Sequence, residues 1–376
     1  MNLGFDAKRA FHNATGLGNY SRDVLRILHD HAPEHGLFAY LGRPGPIAFD
    51  PGPRLRVRPP STVPGRLLPA AWRQRGILRE LRRDGIDLFH GLSAELPLGI
   101  ESSGIASVVT IHDLIFERHP ELYPAADRWI FRWKARSAAR RAGLVVAASE
   151  QTRGDLVEIY RIPADRIRVV YQGCHAAFRA GAGPAELGEV ARRWSLPPRF
   201  VLSVGTIERR KNLLAAVKAI EGIPEVSLVA VGRRTSYAGE VDAHLAARGL
   251  GGRVRLLQGV AREDLAAMYR LAEALVYPSH FEGFGIPIVE ALVSGTPVVT
   301  TRGGCFAEAG GPGSAYVDPA DPEELREALR SILDDPARRE AMREAGLAHA
   351  RRFDDAEIAR SLLAVYAEAA GRRSFG

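Results

Sequence analysis

Lysine and cysteine are scarce in this 376-residue chain, and no apolar run reaches the length of a membrane span. Each shortage excludes something. Cys174 and Cys305, the two cysteines, lie far apart, so they supply neither a disulfide framework nor a cysteine metal cluster. Without ~18–20 consecutive apolar residues, no spanning helix is expected. The start, Met1-Asn2-Leu3-Gly4-Phe5-Asp6-Ala7-Lys8-Arg9, puts its basic pair after a short apolar stretch and offers no cleavable apolar segment. No secretory signal is therefore expected, and a reducing cytoplasm is the default compartment. Lysine occurs at positions 8, 134, 211 and 218, which leaves arginine with nearly all of the 51 basic side chains. The net charge of +7 invites nucleic acid or an anionic membrane as partner. A bias toward arginine along the whole chain reflects genome composition at least as readily as a binding surface, and no nucleic-acid partner is expected.

Several motifs are also missing. There is no Walker loop, no G-x-S-x-G elbow, no H-E-x-x-H, no Cys/His ligand spacing and no D-x-D pair to hold a divalent cation on a diphosphate. No metal site is expected. Hydrophobic content of 46% and charged content of 25% are those of a globular protein, and the length suggests two domains.

Short apolar runs alternate with helical patterns throughout. This predicts strands at Asn2 to Asp6, Leu55 to Arg58, Leu88 to His90, Ala106 to Ile111, Leu144 to Ala148 and Arg168 to Tyr171 in one half. In the other half they fall at Phe200 to Val204, Ser227 to Val231, Val254 to Leu257, Ala274 to Tyr277, Pro297 to Thr300 and Ser314 to Val317. Such alternation gives an α/β chain of two doubly wound parallel sheets covered on both faces. The expected division is a domain over 1–180, a linker over 181–198, a second domain over 199–352, and a C-terminal helix over 353–376 returning to the first domain. Residues 42–69, rich in proline, glycine and arginine, read as loop. Residues 127–141 read as an arginine-rich helix carrying Trp129, Ile130, Phe131 and Trp133. Such a helix can lie on an anionic bilayer, or it can turn its aromatics inward, the more common arrangement.

Two stretches concentrate chemistry. Tyr277 to Leu292 is a strand end, a turn with Gly283 and Gly285 between Glu282 and Glu290, and a helix with Pro287 expected at its first position. Free N–H groups at a helix start suit phosphate, and carboxylates suit hydroxyl pairs, so together they describe a nucleotide-sugar. An ordinary strand-turn-helix with solvated glutamates is the alternative. The second stretch, Gly205 to Leu213, places Arg209, Arg210 and Lys211 at the start of a helix. Cations are unfavourable there unless an anion compensates them, which argues for a bound phosphate. The alternative is a solvated basic turn. A weaker signal is the glycine pair of Thr15 to Ser21, read as a turn before a helix from about Tyr20 to His31. His112 follows a buried strand at its carboxyl end, where parallel sheets place ligands, or it only caps a loop.

With these motifs in view, the chain resembles the family-4 retaining glycosyltransferases of the GT-B fold, in their mannosyltransferase-like branch. The resemblance spans nearly the whole length through residues 15–21, 110–114, 205–213, the E-x7-E pair Glu282/Glu290 and Gly-Thr-Pro-Val-Val at 295–299. It implies two Rossmann-like domains facing a cleft, with the acceptor on the N-terminal side and the nucleotide-sugar on the C-terminal side. It implies that Glu290 holds the ribose, and that Glu282 with the backbone of Gly283, Phe284 and Gly285 holds the transferred sugar. Arg210 and Lys211 would clamp the diphosphate beside Gly205, Gly16 and Gly18 would approach it, Val260 would lie near the base, and His112 would touch the sugar near the reacting carbon. Arg209, where relatives often carry proline, and the segment Gly303 to Glu308 depart from the family pattern. No cofactor is implied, the nucleotide-sugar being a substrate. GDP-mannose is the favoured donor, with a UDP-sugar as the other option, and a glycan or lipid-linked molecule the acceptor. Replacing Lys211 by alanine is expected to cut turnover more than stability. Peripheral contact with a membrane's inner face stays open. So do two other readings: another GT-B enzyme such as an epimerase or phosphorylase, and a non-catalytic basic surface-binding protein.

Overall fold

Two parallel sheets follow from the alternating pattern, of six strands and, with one strand added, of seven. In the computed structural model, which describes residues 1–50 and 52–372, the strands are β1 (Asn2–Asp6), β2 (Gly36–Tyr40), β3 (Leu55–Arg58), β4 (Leu88–Gly91), β5 (Ala106–Ile111), β6 (Leu144–Ala147) and β7 (Ile167–Val169) in one sheet. The second sheet comprises β8 (Phe200–Val204), β9 (Ser227–Val231), β10 (Val254–Leu257), β11 (Ala274–Tyr277), β12 (Val298–Thr301) and β13 (Ala315–Val317). Their orders are β3-β2-β1-β4-β5-β6-β7 and β10-β9-β8-β11-β12-β13. All the strand pairs are parallel, for example Leu3 beside Leu37 and Leu202 beside Val229. The chain forms two units, one of Met1–Gly173 with Phe353–Gly376 and one of Cys174–Arg352.

The inner strands of the first sheet bury both faces, so their side chains alternate between two cores, while the edge strand β3 leaves Arg56 and Val57 exposed. Leu144 and Val146 of β6 join Leu3, Phe5 and the helix Gly16–His31 on one side. Val145 and Ala147 join Phe38, Phe89 and the helices of residues 63–83 and 125–141 on the other. The C-terminal helix, Asp355–Arg372, completes the first of these cores with Ile358, Leu362, Val365 and Tyr366. In the second unit, Val201, Leu228, Ala274 and Val299 pack against the helices Leu213–Glu221 and Pro322–Leu333.

Several elements differ from the sequence reading. β2 carries Gly-Leu-Phe-Ala-Tyr, an apolar run too short for its period to be told from the segments around it. Residues 42–69 include a helix, Val63–Leu67, which Thr62 caps by accepting from the Gly65 N–H. The unit boundary falls at Cys174 rather than at 181. Within the expected linker, Pro184–Arg193 is a helix whose Arg193 forms a salt bridge to Asp264 at 2.8 Å, so the segment is built into the second unit. The helix expected from Tyr20 begins at Gly16, which places both glycines of the supposed turn inside its first turn. The helix after β11 begins at Ile286, so Pro287 is its second residue. A proline fits there too, since that N–H also lacks an intrahelical acceptor. The two tryptophans of the helix Ala125–Arg141 do not turn inward, whereas Phe131 rests against Phe116 and Tyr123. The helix's buried residues are Ala135, Ala138 and Ala139, and Trp129 is 67% exposed. Small side chains let this helix lie close to the sheet, and only one face can do so.

Candidate functional site

In the second sheet the chain runs from β8 outward to β10, then returns to the other side of β8 with β11. The crevice at such a reversal, outside the carboxyl ends of β8 and β11, is where open parallel sheets bind ligands. Two loops lead from those ends. One runs from Gly205 to Asn212 and the other from Pro278 to Gly285. They are tied by the His280 N–H, which donates to the Arg210 carbonyl at 2.9 Å.

Gly205 has φ of +140°, and a Cβ there would stand 3.5 Å from the Lys211 stem, so the turn favours glycine. Arg209–Lys211 forms a single tight turn, followed by Asn212 in a left-handed conformation that caps Leu213–Glu221. The cations therefore precede the helix rather than sit within it. They are also compensated by protein carboxylates. Arg210 forms salt bridges to Glu208 and Glu282, each at 2.7 Å, Lys211 pairs with Glu282, and Arg209 pairs with Glu240. The charge conflict at the helix start is therefore met within the protein and does not by itself require a phosphate. Unlike-charged side chains relieve the helix-start conflict.

Glu282 is the centre of this cluster. One oxygen accepts from Lys211 and from the Tyr277 hydroxyl (3.0 Å), and the other pairs with Arg210. Burial alone would raise its pKa, but Lys211 and Arg210 outweigh burial and bring it down to about 2. Burial lowers the Lys211 ammonium, with Glu282 opposing. For Arg210, burial lowers and the carboxylates of Glu282 and Glu208 raise, with a net rise. Burial, reinforced by Glu282, lifts the Tyr277 hydroxyl well above its ordinary value. The cluster at neutral pH is a carboxylate held between two cations and a neutral phenol.

Gly283, Phe284 and Gly285 continue the loop, with Gly285 at φ +108° forming the N-cap of Ile286–Val293. Glu290, on that helix, accepts from the Tyr269 hydroxyl at 2.9 Å. Cys305 is buried and donates to the Glu282 carbonyl, so the divergent segment 303–308 supports the same loop. Val260 is half-buried, just before the helix Arg262–Leu271.

The remaining predicted residues belong to the first unit. His112 follows β5, with Nε2 3.0 Å from the Leu92 carbonyl and Nδ1 3.0 Å from the Gln172 amide nitrogen. A carbonyl only accepts, so Nε2 carries the proton and Nδ1 accepts from Gln172. Burial pushes the imidazole down to about 4. The Tyr20 ring meets it edge-on at 4.5 Å. The Tyr20 hydroxyl lies 2.9 Å from Thr110 Oγ1, which is 2.8 Å from His90 Nε2, and His90 Nδ1 is 2.7 Å from the Tyr366 hydroxyl of the C-terminal helix. Gly18 backs onto the Asn13 carbonyl, where a Cβ would overlap it at 1.7 Å, so this glycine is required by packing within the unit. Gly16 faces open space.

Sequence reasoning missed Tyr277, Tyr269, Glu208 and Gln172. Tyr277 alone carried a signal, as the last residue of a strand five before Glu282. It also missed the charge network at the reversal of the first sheet, where Arg73 bridges Asp6 and Glu95, and Lys134 also binds Glu95. Those four residues come from four separate segments, a convergence that spacing cannot reveal.

Two parallel Rossmann-like sheets in one chain define the GT-B class of fold. Residues 14–178 match the family described as Glycosyltransferase Family 4, and residues 190–349 the one described as Glycosyl transferases group 1. O-antigen chain mannosyltransferase B of Escherichia coli is 31% identical over 274 residues, which cover 71% of this chain and 70% of that protein. A D-inositol 3-phosphate glycosyltransferase of Thermobispora bispora is 33% identical over 251 residues, 61% of this chain and 57% of that protein. The solved structure of Anabaena HepE in complex with UDP and glucose shares the fold with a TM-score of 0.74, over 97% of this chain and 99% of its own, at 19% identity. The chain belongs to the family-4 glycosyltransferases and is mannosyltransferase-like. These likenesses favour neither the epimerase or phosphorylase reading nor the non-catalytic one.

Proposed function

We propose that the protein is a cytoplasmic, metal-independent, retaining hexosyltransferase acting in polysaccharide or glycoconjugate synthesis. It takes mannose from GDP-mannose, in preference to a UDP-sugar, and delivers it to a glycan or lipid-linked acceptor. The observation that carries this reading is the convergence of Arg210, Lys211 and Glu282 at the carboxyl ends of β8 and β11. In the donor complex the two cations meet the diphosphate, the Gly283 to Gly285 backbone and Glu282 meet the sugar, and Glu290 meets the ribose hydroxyls. The likeness to a mannosyltransferase supports mannose as the sugar.

With Glu282 committed to cations, no carboxylate in this loop is free to act as a nucleophile. The bond from the anomeric carbon to the diphosphate oxygen breaks, and the acceptor oxygen bonds to that carbon on the same face. The acceptor's proton passes to the departing phosphate oxygen. Arg210 and Lys211 stabilise the charge that builds there, the kind of fixed electrostatic support that lowers such barriers most. His112, neutral at pH 7, contributes no cation.

Thermal-shift measurements with GDP-, UDP- and ADP-sugars in the presence of a chelator test the reading. GDP-mannose is expected to stabilise the protein most, with the shift reduced in Lys211→Met and Glu290→Gln. Stabilisation by none of these nucleotides, or an unchanged shift in both variants, would overturn it. Product analysis with GDP-mannose and a lipid-linked glycan then reads the anomeric configuration.

A further inference from the structure

Most of the large apolar side chains exposed among the described residues fall in two stretches of the first unit, 63–68 and 122–133. Leu67 and Leu68 are 68% and 64% exposed, and on Ala125–Arg141 Trp129 and Trp133, four residues apart, share one exposed face beside the part-exposed Ile130 and Phe131, the latter also resting on Phe116 and Tyr123. Single exposed apolar residues are ordinary, but a concentration of them marks an interaction surface. The two stretches lie on one side of the sheet. Trp72, Ile77 and Leu81, which follow the first stretch, and Ala135, Ala138 and Ala139, which follow the second on the same helix, share a single core. Gln74 and Trp133 line the same small cavity. Trp72 shows what a core tryptophan looks like here, being buried with its indole N–H donating to Glu80 at 3.0 Å. The indole N–H groups of Trp129 and Trp133 have no partner among the described residues.

Charge on this face is one-sided. Over residues 61–83 and 122–141, eight arginines are exposed against one exposed carboxylate, Asp127. Over the whole chain, basic and acidic residues are nearly balanced at 51 and 44. Overall arginine usage therefore does not account for the local excess. Arg83 pairs with Asp84 and Arg132 with Glu117, but Arg66, Arg75, Arg79, Arg82, Arg136 and Arg140 form no salt bridge among the described residues.

We propose that this face of the first unit docks on an anionic lipid bilayer. Leu67, Leu68 and the aromatics would enter the boundary between headgroups and acyl chains, and the arginines would meet the lipid phosphates. Tryptophan suits that depth because its ring is apolar and its N–H is not. Cationic side chains attract the surface from within a Debye length. A second copy of the chain is disfavoured by its like charge, and nucleic acid offers nothing for leucine. The proposal stands on this surface alone and is independent of which sugar is transferred.

The test is flotation of the full chain with vesicles of phosphatidylcholine alone, or mixed with phosphatidylglycerol, at low and high salt. The protein is expected to float with the anionic vesicles only, to be released by salt, and to shift its tryptophan emission to the blue on binding. Trp129→Ala with Trp133→Ala, and separately Arg136→Glu with Arg140→Glu, are each expected to weaken partition about tenfold or more while thermal unfolding is unchanged. Leu67→Ser with Leu68→Ser is a further variant whose side chains are too exposed to affect folding, and it should weaken partition likewise. Failure of the wild type to float, equal binding to neutral vesicles, or undiminished binding by all three variants overturns the proposal. So does a salt-sensitive complex with duplex DNA or an acidic peptide in place of vesicle binding, or a dimer that these substitutions dissociate.

Discussion

Both oxygens of Glu282 are committed, one to Lys211 and Tyr277 and the other to Arg210. Removing its charge therefore leaves two buried cations facing each other. Breaking such a pair from one side costs about 3–5 kcal/mol, so Glu282→Gln should lower the unfolding temperature well beyond a surface change. A nucleoside diphosphate brings the missing anion. Its stabilising shift should accordingly be larger in Glu282→Gln than in the wild type, which differential scanning fluorimetry with and without GDP would read. A smaller shift would mean that Glu282 binds the nucleotide directly rather than balancing its cations. Lys211 is less separable from the fold than its sequence position suggests. Lys211→Ala should cut turnover per folded molecule about 100–1,000-fold, the usual loss for one donor to a developing oxyanion. It should also destabilise the second unit, because Glu282 loses a partner. Activity must therefore be normalised to the folded fraction. For His112, the Leu92 carbonyl and the Gln172 amide fix one neutral tautomer. A pH–rate profile should show no limb from this residue near 6.5, since burial holds it at about 4. A titration near 6.5 that disappears in His112→Asn would refute that environment.

The C-terminal helix illustrates how an element distant in sequence completes a core. Ile358, Leu362, Val365 and Tyr366 of Asp355–Arg372 are buried against Leu3, Leu25 and Val108, and Arg26 binds Asp355 at 2.7 Å. Each large apolar side chain withdrawn from water contributes about 1.5–3 kcal/mol, so loss of the helix removes an amount comparable to a domain's whole margin of stability. Truncation after Arg352 should therefore unfold the first unit and leave the second folded. Limited proteolysis should then yield a resistant fragment beginning near Cys174. Tyr366→Phe, which keeps the packing but removes a hydroxyl bonded to His90, should cost only about 1–2 kcal/mol. Elements of this kind were partly legible in the sequence. Runs such as Ser-Val-Val-Thr-Ile and Phe-Val-Leu-Ser-Val have enough β-branched and apolar residues to declare a buried strand, and Gly205 after the second marked the loop that lies at the reversal of its sheet. The start of Gly16–His31 was not legible, because glycine signals a turn and only the Asn13 carbonyl packed against Gly18 shows why it sits in a helix. The compensation of Arg210 and Lys211 was equally hidden. Glu282 lies about seventy residues further on, and only the adjacency of β8 and β11 brings it there. The orientation of Ala125–Arg141 stayed open between outward and inward aromatics because a helix that mixes alanines with aromatics can be docked either way round.

On the scale of the whole molecule, the distribution of buried titratable groups gives the two units different responses to acid. His90 and His112 are held by burial at about 3 and about 4, below the ordinary 6.5. A histidine whose folded pKa is depressed binds its proton more readily when unfolded. Its stabilising contribution is whole above pH 6.5 and is lost as the pH falls toward the folded value. Both lie in the first unit. Asp155 in the same unit acts in the opposite sense, its carboxyl raised by burial, but it is a single, partly compensated group. The second unit has His349, half-buried and lowered in the same way, and Glu282. The Glu282 contribution is whole above 4.5 and is lost only between 4.5 and about 2. Between pH 6.5 and 4.5 the first unit therefore loses stability faster than the second. Hydrogen exchange followed by mass spectrometry at a series of pH values resolves the two, since β4 and β5 peptides report one unit and β8 and β11 peptides the other. Exchange in β4 and β5 should accelerate first, and the lag between the units should shrink in His90→Gln, whose amide is uncharged at every pH. Acceleration of β8 and β11 first, or of all four strands together, would show that the buried histidines do not control which unit yields.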